Sequence, residues 1–230
     1  MQYDFKDGNG LVSAHRHSNG GGWVADTASV TDSAFVGPNA VVSDNARVYG
    51  NAEVYDDAVV YDNARVYGYA RVYDNAEVYD NAEVFGYAEV SDNAEVSYNA
   101  EVSDNAEVSD NAKVIGDARV YGHASVYGSA IVYGNAKVYG NAVVRDNAVV
   151  YGNAVVCGNA KVSVLFSSNR SDGYTFCIYN DTKLGIRISA GCRNFSVEEA
   201  KEHWNKTRGG TLLGEESLAI VDYLVTMMKE

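Results

Sequence analysis

The chain has 230 residues, 47% of them hydrophobic, and sets 31 acidic residues against 18 basic ones for a formal net charge of −13. An acid excess of that size argues against a generic nucleic-acid-binding surface, because phosphates must be met by Lys and Arg. Three cysteines, Cys157, Cys177 and Cys192, form no close pairing motif and fit a reducing compartment better than a disulfide scaffold.

Residues 1–25 carry no repeat, and the start at Met1-Gln2-Tyr3-Asp4 has no apolar segment of the signal-peptide kind, so a cytoplasmic location is expected. They hold His15-Arg16-His17 and then Gly20-Gly21-Gly22-Trp23. The simplest role for this stretch is a cap over the open edge of whatever follows. A sharper reading uses His15 and His17, spaced to share one side of a strand, with Trp23 nearby, to hold a metal or an anion. Two histidines without a third ligand are a weak metal signal, and no metal or cofactor is expected.

From Asp26 to Val162 an alanine recurs at every sixth residue, Ala28 through Ala160, and from Val30 a valine follows it two residues later in every unit, as in Val48-Tyr49-Gly50-Asn51-Ala52-Glu53. So short a period excludes a helical array and predicts short strands joined by tight corners. The residue before each alanine is most often Asn, preceded by Gly or Asp, and these three types tolerate positive φ and make local turn hydrogen bonds. This pattern resembles the hexapeptide-repeat family of left-handed parallel β-helices. The resemblance implies a mainly β fold of about seven to eight triangular coils, three hexads to a coil, and a homotrimeric assembly.

Eighteen residues per coil stack the outward side chains into ladders. One reads Arg47, Arg65, Glu83, Glu101, Arg119, Lys137, and the middle coils carry an acidic girdle from Glu77 to Glu107. Within the girdle the outward tyrosines give way to Ser91, Ser97, Ser103 and Ser109, so the middle reads as solvated and the ends as aromatic. The tyrosines are read first as stacked ladders and second as a partner surface. Outward Val143, Val149 and Val155 suggest cover by the C-terminal part or by neighbouring subunits.

After Val162 a polar linker is expected over 163–172, then a small ββαα domain over 173–230. Its hairpin joins Tyr174–Tyr179 to Leu184–Ser189 through Asn180-Asp181-Thr182-Lys183, a capping box at Ser196-Val197-Glu198-Glu199 opens a helix to about Lys206, and Leu218, Val221, Val225 and Met228 stripe a second helix. The late apolar run Leu218 to Met228 is too short to span a bilayer, so no membrane partner is expected.

Many hexapeptide-repeat proteins are acyltransferases that use an interface histidine, often beside an extruded loop. Here the rod has one histidine, His123, at a corner where Asn usually sits, and no loop interrupts the hexads. An acyltransferase is therefore an alternative and not the main expectation. The better site candidate is Arg187, Arg193, His203, Trp204 and Arg208, where guanidinium forks and an aromatic plane could hold a phosphate-bearing, nucleotide-like ligand. The plain alternative packs Trp204 under the helix and leaves the cations as a solvated rim. Cys192 reads as a buried thiol.

His15 to Val30, the Asn-Ala repeats and Glu198-Glu199-Ala200-Lys201-Glu202-His203-Trp204 together resemble phage and prophage hexapeptide-repeat proteins. That resemblance carries no catalytic residues, and the expectation is a non-catalytic, homotrimeric binding protein in an infected cell; analogy with small oligomeric phage proteins suggests an anti-defence role, sequestering a nucleotide-derived immune signal. A virion or scaffold protein and an acidic nucleic-acid mimic stand as alternatives.

Overall fold

A computed structural model gives the structure of the chain and describes residues 1–8, 10–163, 166–181, 184–191 and 193–228. Val and Ala of the hexads turn inward and are fully buried over nearly the whole rod, from Ala34 to Val162. Side chains this small fill a narrow prism without voids. Three sheets of eight parallel strands form its walls, one of them extended to ten by two antiparallel N-terminal strands, giving about eight coils. Strands eighteen residues apart pair in register, as Arg65 with Glu83 and Val66 with Val84.

From Asp44 to Gly158 each corner turns on one residue with positive φ. Except at Tyr98 it is the Gly or Asp two places before the alanine, such as Asp62 (φ 57°) or Gly68 (φ 79°), and not the Asn that follows. Glycine takes this conformation because it lacks a Cβ. Most of the aspartates have a second reason, since the carboxylate accepts the corner N–H of the next coil: Asp80 Oδ2 from Tyr98 N at 3.1 Å, Asp110 Oδ2 from Gly128 N at 2.9 Å. Tyr98 itself sits at φ 60°, a strained position for a bulky side chain.

The outward ladders form as expected. Tyr49, Tyr67 and Phe85 stack at 4.8 and 4.9 Å, and Tyr121 stacks on Tyr139 at 4.8 Å. The abutting Glu83 and Glu101 are relieved from either side by Arg65 and Arg119, each at 3.1 Å. The serines of the girdle depart from expectation. Ser91, Ser97 and Ser103 are buried, because larger side chains one coil away, among them Tyr73 and Tyr79, stand over a residue that short.

At the N-terminus, strand Leu11–Arg16 pairs antiparallel with Gln2–Asp4 on one side and Trp23–Ala25 on the other, and Trp23–Ala25 opens the eight parallel strands of the ten-stranded wall.

The C-terminal part is richer than the expected ββαα. A four-stranded antiparallel sheet, Phe166–Asn169, Thr175–Asp181, Gly185–Ala190 and Arg193–Phe195, precedes α1 (Val197–Arg208) and α2 (Leu212–Met227). The segment read as a polar linker supplies its first strand, and its polar groups are used: Thr175 Oγ1 donates to Asn169 Oδ1 (2.8 Å), and Ser171 Oγ to Glu216 (2.7 Å). The middle strand is buried on both faces. Cys177 and Tyr179 join the core of the rod, while Phe176 and Ile178 join a second core with Trp204, Val221 and Leu224. The sheet thus seals the last coil and carries the helices outside it. Cys192, Thr182 and Lys183 lie outside the described residues.

Candidate functional site

The capping box forms as the sequence indicates. Ser196 Oγ accepts from Glu199 N (3.1 Å), and the Glu199 carboxylate accepts from Ser196 N (2.6 Å). Anchored there, α1 turns Ala200 and Trp204 into the second core and presents His203, Thr207 and Arg208 beside the edge strand Arg193–Phe195.

A cleft of about 340 Å³ opens at this junction, lined by Arg170, Asp172, Tyr174, Arg193, His203, Trp204, Thr207 and Arg208. It brings together four of the five principal candidates. Arg193 and Arg208 are exposed and make no ion pair with another described residue. His203 stacks on Phe195 at 5.0 Å and meets the edge of Trp204 at 4.8 Å. Burial, and then the Arg193 charge, push its pKa down, so the imidazole is neutral near pH 7.

Two candidates take other roles. Trp204 is no stacking plane for a ligand: it is 2% exposed, packed against Phe176 and under the Arg170 guanidinium at 5.3 Å. Arg187 belongs to a second cleft of about 460 Å³ with Asn194, Phe195, Glu199, Glu202, His203 and Lys206. Its guanidinium is committed there, with Nε to Asn194 Oδ1 and one terminal nitrogen to Asn194 O (both 2.9 Å), and the other 3.4 Å from Glu199. It braces the edge strand instead of reaching for a ligand.

Sequence reasoning missed Arg170, Asp172 and Tyr174. Arg170 is buried, bonded twice to Asp172 (2.9 and 2.7 Å) and once to Ser217 Oγ (2.9 Å), with Tyr174 at 4.9 Å beneath it. The Arg-x-Asp-Gly spacing, with Gly173 at φ 82° and Tyr174 N donating to Asp172, was the available signal for a built turn.

The secondary candidates scatter. His15 Nδ1 lies 2.9 Å from Asp26, whereas His17 is buried with Nε2 on Ala34 O at 3.0 Å, so the pair does not converge on one ligand. Trp23 is sandwiched between Tyr3 (4.2 Å) and Arg16 (4.1 Å). His123 stands exposed at its corner and lines neither cleft. Among the described residues no three of His, Cys, Asp and Glu come together as a metal site, and no helix is long and apolar enough to cross a membrane.

A further cleft, about 700 Å³, lies where Arg119, Tyr121, Lys137, Tyr139 and Val155 of one wall meet Gly191 of the C-terminal sheet. Its charge is weaker, because Arg119 is paired with Glu101 at 3.1 Å.

Residues 46–62, 58–74 and 118–134 match the family model described as the YdcK beta solenoid repeat, and each match falls on the in-register parallel strands described above. The chain is a parallel β-solenoid repeat protein. Comparison of this solenoid protein with the curated proteins and with the solved structures finds no match.

Proposed function

We propose that this β-solenoid protein acts by binding, as a homotrimeric scaffold whose C-terminal part captures a phosphate-bearing small molecule. The observation that carries the reading is the cleft where Arg193 and Arg208 lie free beside the braced Arg170 and a neutral His203. Guanidinium forks match phosphate geometry, and a cleft of this size admits a small ligand. The C-terminal end of α1 opposes an anion by about 0.3–1 kcal/mol, less than two unpaired guanidiniums return. The hydroxyls that line the cleft donate to backbone carbonyls, Thr207 Oγ1 to His203 O and Tyr174 Oη to Ala190 O, which supports binding over nucleophilic catalysis there. In a phage-infected cell, such capture would withdraw a nucleotide-derived immune signal.

Thermal-shift measurement against phosphorylated metabolites and cyclic nucleotides tests this. A ligand at a hundred times its Kd should add about 2.7 kcal/mol of stability. The gain should vanish in Arg193→Ala/Arg208→Ala, and a panel without any stabilising phosphorylated compound would refute the reading. A scaffold role is the second reading, favoured by the exposed Tyr69, Tyr87 and Tyr98 at the corners of the rod.

A further inference from the structure

We propose that the two clefts flanking His203 form one bipartite site for a monophosphate ester of a hydroxylated ring, the chemistry of a sugar phosphate or a nucleoside monophosphate. The proposal rests on the anion-capture reading and specifies its ligand. His203 lines both clefts, and its ring stacks on Phe195, which lines the second.

The clefts differ in charge. On one side Arg170 is balanced by Asp172, which leaves Arg193 and Arg208 as surplus positive charge. On the other side Arg187 and Lys206 face Glu199 and Glu202, with no net charge. Glu199 is spent on Ser196 N and Arg187, and Asn194 on Arg187 and Tyr179. Glu202 and Lys206 remain as exposed groups, one turn apart on α1, without an ion pair between them.

An acceptor and a donor so placed suit neighbouring hydroxyls, each of which can donate to Glu202 and accept from Lys206. A second phosphate would meet the Glu202 carboxylate, and an ammonium group would meet Lys206 and Arg187. The Phe195–His203 stack offers an apolar surface against which a ring can lie. The first cleft therefore takes the phosphate and the second reads what is attached to it.

Calorimetric titration of the full chain with inorganic phosphate and with ribose 5-phosphate tests the assignment. Ribose 5-phosphate should bind about tenfold more tightly than inorganic phosphate, worth about 1.4 kcal/mol. Glu202→Gln should remove that advantage and leave inorganic phosphate binding unchanged, whereas Arg193→Ala/Arg208→Ala should abolish both. Equal affinities for the two probes, or an advantage that survives Glu202→Gln, would overturn the bipartite site and leave anion capture standing. Binding of neither probe would overturn the bipartite site, and a phosphorylated panel without any stabilising compound would overturn anion capture with it.

Discussion

Arg170 shows how a buried charge is tolerated at the edge of a site. Its guanidinium meets a carboxylate twice and a hydroxyl once, and aromatic rings cover the rest. Losing one partner of such a cluster leaves the other buried and unpaired. The hydrogen bonds from Arg170 hold the Asp172 carboxyl down to about 2, against an ordinary value of 3.8. A depressed folded-state value means a contribution that is whole above the ordinary value and fades as pH falls toward the folded one. The melting-temperature gap between wild type and Asp172→Asn should thus be constant from pH 7 to about pH 4 and shrink toward pH 2. An unchanged gap at pH 2 would show that the pair does not titrate as described. None of this was legible in a run reading Ser-Ser-Asn-Arg-Ser-Asp-Gly, because a polar segment that bonds to itself and to a distant helix has the same composition as a solvated linker.

At the scale of elements the hexads were legible almost residue by residue. Burial of Val and Ala, the eighteen-residue stacking and the tyrosine ladders all follow from the period. What the period hides is which corner residue carries positive φ, and how far a tyrosine covers the rung beside it. Tyr67 is stacked on both sides, and its hydroxyl donates to Glu83 at 3.0 Å. Tyr67→Ala should cost about 1–3 kcal/mol, two stacked pairs at ~0.5–1.5 each. Tyr67→Phe, which keeps both stacks, should cost less than half as much. Thermal denaturation of the two variants checks the order, and equal losses would mean that the hydroxyl, not the stack, holds the ladder.

For the whole molecule, the C-terminal sheet is the end wall of the rod and the floor under α1 at once. Alternate residues of a single strand face the two cores, a period that the sequence shows only as an unbroken apolar run, Phe176 to Tyr179. Tyr179→Ala should open a cavity costing about 3–5 kcal/mol. Because repeats contact only their neighbours, the loss should stay local. Hydrogen exchange should rise in Thr175–Asp181 and both helices while the coils from Val48 to Val126 remain protected, and uniform exchange along the chain would contradict that division.

On the proposed reading, one end of a stiff acidic rod carries the binding site, the cleft with free guanidiniums. Tungstate, an anomalous scatterer of phosphate-like shape, addresses this directly in crystals of the full chain. A difference peak between Arg193 and Arg208, beside His203, is the predicted result. A peak on the walls of the rod with that cleft vacant would contradict the account.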